Sequence, residues 1–189
     1  MEAYVADKVF DKNDFTEKSL DKGEYECCTF SNCDFSESDL SRIIFSECTF
    51  VNCNLSMVKL FLTALRDVKF KDCKMLGINF EGCNQFGLEV SFENAVLDHC
   101  LFYKTKLKNT LFKNTTLHEV DFTESDLSGS TFDKCDLLMA TFDHSILEKV
   151  DFRTAYNFEI NPETNRIKKA KFSSDNISGL LSMYDIVIE

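Results

Sequence analysis

From Leu107 to Phe152 every fifth residue is leucine or phenylalanine: Leu107, Phe112, Leu117, Phe122, Leu127, Phe132, Leu137, Phe142, Leu147 and Phe152. A five-residue period matches neither the 3.6 of a helix nor the 2.0 of a strand, so the chain must be built from repeats. Two residues before most of these centres stands something small: Thr110, Thr115, Ser125, Ser130, Cys135, Ala140 and Ser145. Alternate side chains of an extended segment share a face, so the small residue and the centre point the same way. Each unit must then turn a corner before the next centre can point inward. Four such sides close a lap of twenty residues. Successive laps stack at about strand spacing, 4.8 Å, with their backbones paired as in a parallel sheet.

The same frame runs back from Phe80 to Phe10 and resumes at Phe92. A twenty-residue lap stacks Phe10, Phe30, Phe50, Phe70, Phe92, Phe112, Phe132 and Phe152 into one column, provided residues 81–91 hold two extra residues. That segment is expected to form a bulged corner with Phe86 still inward. Lys8 and Lys18 occupy small-residue slots, which points to an irregular N-terminal cap and first coil over 1–22, followed by the regular solenoid over 23–158.

The motif, a small residue, any residue, then Leu or Phe and two more, resembles the pentapeptide-repeat family, and the resemblance covers about nine-tenths of the chain. It implies an all-β fold, a right-handed quadrilateral parallel β-helix of about seven to eight coils. Its well-understood bacterial members, the quinolone-resistance and microcin-immunity proteins, are rod-like dimers similar to B-DNA in width and charge that engage DNA gyrase or topoisomerase IV. Large loops carried by some of those members are absent from this chain.

Cysteine usage follows the frame. Cys28, Cys33, Cys48, Cys53, Cys73, Cys83, Cys100 and Cys135 all fall in small-residue slots, and only Cys27 does not. They read as buried apolar side chains and not as disulfides or zinc ligands. His99, His118 and His144 fall on outward positions. No catalytic constellation, phosphate loop or Cys-x-x-Cys pair is present, so neither an enzyme nor a bound cofactor or metal is expected. No run approaches 18 apolar residues and the N-terminus lacks a basic-then-apolar leader, so a cytoplasmic protein without a membrane span is the expectation. The net charge of −11 argues against direct nucleic-acid binding and favours a protein partner with a positive surface.

Charge is patterned along the chain. Residues 1–54 carry 12 acids and 5 bases, residues 55–115 carry 6 and 9, and residues 116–153 carry 9 and 3. Lys71, Glu93, Lys113, Asp133 and Arg153 should form a salt-bridge ladder beside the Phe column, with Asn32, Asn52, Asn94 and Asn114 as an amide ladder next to it. The outward acids Glu119, Asp121, Glu124, Asp126, Asp136, Asp143 and Asp151 are the candidate partner-facing surface. Phe61, Leu62, Leu101 and Tyr103 are exposed in the basic middle.

Beyond Phe152 the frame weakens. Asn161-Pro162-Glu163 reads as a turn, and Ile167, Ala170 and Phe172 as a last strand or half coil. Over 159–189 a C-terminal cap is expected. In it Ser174-Asp175 starts a short helix that carries Ile177, Leu180, Leu181 and Tyr184 on one stripe. In the family such an element makes a two-fold homodimer, which would place residues 116–153 near the centre of a double-length rod. The resulting expectation is a non-enzymatic DNA mimic of type II topoisomerases that protects against quinolones or toxins. The alternative is a scaffold solenoid that binds an unrelated protein.

Overall fold

A computed structural model describes residues 3–184 and 186–187. Its strands are short and come in pairs, one pair per lap: β1 (Ala3–Ala6) and β2 (Val9–Asp11), β3 (Gly23–Glu26) and β4 (Thr29–Ser31), β5 (Ile44–Ser46) and β6 (Thr49–Val51), β7 (Ala64–Arg66) and β8 (Val68–Lys71). Three single strands follow, β9 (Val90–Glu93), β10 (Leu111–Lys113) and β11 (Thr131–Asp133). All ladders are parallel. One sheet runs β1-β3-β5-β7 and the other β11-β10-β9-β8-β6-β4-β2. These sheets are the first two sides of a four-sided lap. Isolated bridges such as Asp34↔Asn54 and Asp121↔Thr141 close the third and fourth, and Lys106↔Asp126 and Ile146↔Arg166 continue the first.

The register is the twenty-residue one. Phe10 pairs with Phe30, Phe30 with Phe50, Phe50 with Phe70, Phe92 with Phe112 and Phe112 with Phe132. Phe70 pairs with Phe92, so the two extra residues fall where the column requires them. From Phe30 to Phe152 the column is buried, and its rings stack at centroid distances from 4.7 to 5.4 Å. A second pile, Phe80–Phe102–Phe122–Phe142, meets it edge to face. Offset stacks and T-shaped contacts suit the ring quadrupole, so the two piles lock each other.

The small slot has a chemical job as well as a size limit. Thr63 Oγ1 donates to the Leu40 carbonyl one lap below at 2.8 Å, Ser130 Oγ to Leu107 at 2.6 Å and Ser145 Oγ to Phe122 at 2.9 Å. Cys48, Cys53 and Cys100 donate through sulfur to Tyr25, Phe30 and Met75. The Leu40, Leu107 and Phe122 carbonyls already accept the backbone N–H three positions on, so the side chain adds a second donor to each, and the buried hydroxyl or thiol finds its own partner in this slot. Burial pushes the Cys48, Cys83, Cys100 and Cys135 thiols up to about 12, so they remain protonated at neutral pH.

Three expectations need correction. Phe86 does not point inward; it is 81% exposed. Half-buried Leu88 packs on the core in its stead, and Gln85, five residues after Phe80, is half-buried with its amide bonded to backbone. The C-terminal segment holds two 3-10 turns, Ile177–Leu180 and Ser182–Tyr184, and not the α-helix that its stripe suggests. Asn176, and not Ser174-Asp175, precedes the first turn, and its Nδ2 reaches the Phe152 and Ala155 carbonyls at 2.8 and 2.9 Å. Finally, the first lap is more regular than its lysines suggest. β1 pairs with β3 from Ala3 onward, and Lys8 and Lys18 lie exposed at the open end.

The last half coil forms as expected. Lys171 bridges Asp151 and the Phe172 ring stacks on Phe152 at 5.4 Å. Among the described residues no helix is long and apolar enough to cross a membrane.

Candidate functional site

The interior is filled by the aromatic piles, so what a partner can reach lies on the outer wall and at the two ends. The described residues bring no three metal-ligating side chains together.

The structure does not gather the seven candidate acids on one side. Asp126 lies on the first side, Asp151 on the second, Asp136 on the third, and Asp121 and Asp143 on the fourth. Glu119 and Glu124 stand at the two corners that bound the fourth. Three are also neutralised locally by lysine or arginine. Glu124 lies 3.5 Å from Lys104, Asp126 3.1 Å from Lys108, and Asp151 2.7 Å from Arg153. Imidazoles approach the next three: Glu119 is 3.5 Å from His99, Asp136 3.0 Å from His118 and Asp143 3.0 Å from His144. Only Asp121 has no basic nitrogen within 4.0 Å among the described residues.

Several of these acids carry structural work that the sequence reading missed. The residue before each centre, when Asp or Asn, accepts the backbone N–H two positions on. Asp121 does so from Thr123 at 2.8 Å, Asp126 from Ser128 at 3.1 Å, Asp136 from Leu138 at 3.2 Å and Asp151 from Arg153 at 3.2 Å. This Asx geometry fastens the corner. Although burial pushes the Asp126 carboxyl up, hydrogen bonds from Ser128 and the Lys108 ammonium hold it below the usual range. Asp136 is likewise lowered against its burial by His118 and Asn157. His118 is correspondingly raised, chiefly by Asp136 on one side, with Asp98 3.7 Å away on the other.

The unneutralised carboxylates lie elsewhere. Between Asp7 and Glu47, Asp39 is the only acid with a basic nitrogen within 4.0 Å among the described residues. Asp11, Asp14, Glu24, Asp34, Glu37 and Glu47 therefore present net negative charge around the first laps. The signal was the excess of 12 acids over 5 bases in residues 1–54.

The two expected ladders are partly formed. Glu93 bridges Lys71 at 4.0 Å and Lys113 at 2.6 Å. Higher up, Arg153 turns its planar fork onto Asp151, while Asp133 accepts from Thr154 at 3.0 Å. A bidentate carboxylate in its own lap outcompetes a single one in the lap below. Asn52 donates to Asn32 at 2.7 Å and Asn114 to Asn94 at 3.1 Å, and each pair ends on an Asp one lap down.

At the C-terminal end Ile177 and Tyr184 are exposed, while Leu180 and Leu181 are half-buried. The tail sits tight on the last lap. A Cβ on Gly179 would stand 2.3 Å from the Phe158 carbonyl oxygen. Next to it Leu138 and Met139 are exposed and line an open groove of 570 Å³ that ends at Ser182 and Met183. These two were not foreseen, yet their apolar character at outward positions was visible. Ile186 and Val187 are exposed, and Asp185 and Ile188 of the apolar tail lie outside the described residues.

Comparison with known proteins matches residues 24–87 to the family described as a pentapeptide repeat region, and residues 100–137 to the one described as pentapeptide repeats (8 copies). Among solved structures, QnrB1, a plasmid-mediated fluoroquinolone resistance protein, is similar with a TM-score of 0.49 at 20% identity, covering 100% of this chain and 98% of that one. HetL, a pentapeptide repeat protein involved in heterocyst differentiation regulation from the cyanobacterium Nostoc, has a TM-score of 0.40 at 16% identity, covering 88% and 84% of the two chains. No match is found among curated proteins.

Proposed function

Because this chain belongs to the pentapeptide-repeat family, whose repeats span more than half its length, we propose that it is a non-enzymatic homodimeric rod that takes the place of DNA on a type II topoisomerase. DNA gyrase or topoisomerase IV is the partner, and shielding it from quinolones or a toxin is the consequence. The observation that carries this reading is the surplus of carboxylates on a narrow shaft. The chain has a net charge of −11, and its first laps bear acids without nearby bases. A saddle built to hold phosphates attracts such a rod by the same long-range field that attracts DNA.

Dimerisation is part of the reading. Ile177, Tyr184, Leu138, Met139 and Met183 are exposed together at the C-terminal end, a grouping of apolar side chains that soluble monomers rarely leave open. A two-fold joint there sets the free carboxylates of the first laps at both far ends and the paired acids Glu119–Asp151 near the middle. Asp121 and the histidine-paired Glu119 and Asp143 are the belt acids with most charge left for a partner.

A supercoiling assay with gyrase, with and without ciprofloxacin, tests the proposal. Micromolar chain should restore supercoiling in the presence of the drug, or inhibit the enzyme without it. No effect at any dose would leave the scaffold reading in its place.

A further inference from the structure

The corner between the first and second sides carries charge that changes sign along the rod. Asp7, Cys27, Glu47 and Asp67 hold it in the first four laps, and Asn109, Gly129, Lys149 and Lys169 in the last four. All eight have φ between 48 and 76°. The backbone stacks them in one column, for the N–H of Asp7 donates to the carbonyl of Glu26 in the lap above, Glu47 to Arg66 and Lys149 to Lys168. A left-handed corner disfavours branched side chains but neither sign of charge, so the fold does not dictate this order. Glu26 beside Cys27 widens the acidic half, and Lys168 beside Lys169 the basic half. Asp7, Glu26 and Glu47 have no basic nitrogen within 4.0 Å, and Lys149, Lys168 and Lys169 no carboxylate, among the described residues. Neighbours of opposite sign are engaged elsewhere: Arg166 holds Glu148 at 2.6 Å, and the Lys8 ammonium lies over the Phe10 ring.

The level between Asp67 and Asn109, the middle one of the column, belongs to the insertion. Gly87 turns there at φ 70°, with the Arg66 stem 3.8 Å from where its Cβ would be. Phe86 precedes it with 81% of its surface open. The turn is pinned, since Asn84 Oδ1 accepts the Phe86 N–H and Gln85 Oε1 the Lys106 N–H, both at 3.0 Å. An aromatic side chain on a turn already fixed in folding loses little further entropy when it docks. Charge close to Phe86 is balanced. Arg66 and Glu89 are one of each sign, Asp67 pairs with Lys69 at 3.5 Å, and Lys108 pairs with Asp126 at 3.1 Å.

We propose that this corner pairs, antiparallel, with the same corner of a second copy of the chain, about a two-fold axis that passes beside Phe86. A column that runs from acidic through neutral and aromatic to basic is its own complement when turned end for end. The first level then meets the last, so Asp7 faces Lys169 of the second copy, Glu26 faces the Lys149 level, and Phe86 meets Phe86. Each contact occurs twice, as in any isologous interface. Parallel pairing instead sets like charge on like. Two convex corners touch along a narrow strip, so the contact belongs with interfaces under about 1,200 Å² that form and dissociate readily. It lies on a different part of the wall from Met139 and Ile177, and it stands independently of the C-terminal joint and of the topoisomerase reading.

Sedimentation velocity on the full chain tests this with two charge-reversed variants, Asp7→Lys with Glu47→Lys, and Lys149→Glu with Lys169→Glu. At low salt the wild type should show an association step that disappears at about 1 M salt, where the Debye length is about 3 Å. Each variant alone should lack that step, since the two halves of its corner then carry the same net sign. An equimolar mixture of the two variants should restore it. Phe86→Ser should weaken the wild-type step about tenfold. Every variant should melt at the wild-type temperature, because these side chains are exposed and both Lys and Glu occupy other left-handed corners. A wild type without a salt-sensitive step, variants that associate alone, a mixture that stays apart, or a Phe86→Ser chain that associates as tightly as the wild type would each overturn the proposal. Dimer mass that persists at about 1 M salt reports on the apolar C-terminal joint, so the two contacts fail separately.

Discussion

Corner residues of this rod hold a backbone conformation that most side chains avoid. Asn32, Glu37, Arg42, Asn114, Glu124 and Lys149 have φ of 55, 59, 63, 49, 54 and 61°, and the pattern recurs two positions after nearly every centre. No Val, Ile or Thr is among these residues. A branched Cβ there collides with the following carbonyl, at a cost of roughly 1–2 kcal/mol beyond what glycine incurs. Lys149→Val should therefore lose about that much stability in urea unfolding, while Lys149→Gly should be neutral or slightly stabilising. At the centres the scale is larger. Phe112 is fully buried between two stacked rings, so Phe112→Ala should cost about 3–5 kcal/mol, and a loss below about 1 would contradict its place in the column. The inward positions were legible because burial is a demand that few residue types meet. The roles of the outward ones were hidden, since Asp and Asn are what solvation, Asx turns and left-handed corners all favour. Asp126 and Asp136 thus read as partner-facing when each fastens its own corner.

Single elements depart from the repeat where a local constraint outweighs it. The stripe at Ile177, Leu180, Leu181 and Tyr184 has helical spacing. A segment this short cannot nucleate an α-helix by itself, however, and Gly179 must fit against Phe158, so 3-10 turns form instead. In the insertion, two added residues carry Phe86 from the inner face to the outer. Its apolar character said nothing about that, while the break in period located the segment correctly. The third side holds a pH-sensitive stack, Asp98–His118–Asp136, with Glu119 also close enough to favour the imidazolium. Because the folded pKa of His118 is raised above its ordinary 6.5, the stability it confers is complete below that value and is lost as pH rises through the folded one. His118→Gln should flatten the decline in urea midpoint above pH 6.5. A variant that declines as steeply as the wild type would assign that slope to another group.

On the scale of the whole molecule the five-residue frame determines a straight, filled shaft of roughly 40 Å, about eight lap spacings from the Phe10 level to the Phe172 level. Its lap count, its column and the position of its insertion were all readable from spacing. Which charges stay free was not, because pairing depends on neighbours twenty residues apart and on which of two acids an Arg or Lys chooses. Arg153 chose Asp151 over Asp133, and the belt lost charge that its composition promised. Light scattering should give twice the 21.7 kDa of one chain if the C-terminal end joins two rods. The most direct test of the account is competition for the enzyme itself. A fluorescent DNA duplex bound to gyrase is titrated with the chain, and its anisotropy is followed at several salt concentrations. The anisotropy should fall to that of free DNA, with the midpoint moving to higher protein concentration as salt screens the carboxylates. Anisotropy that stays at the bound value under saturating chain would contradict the claim that this rod takes the place of DNA.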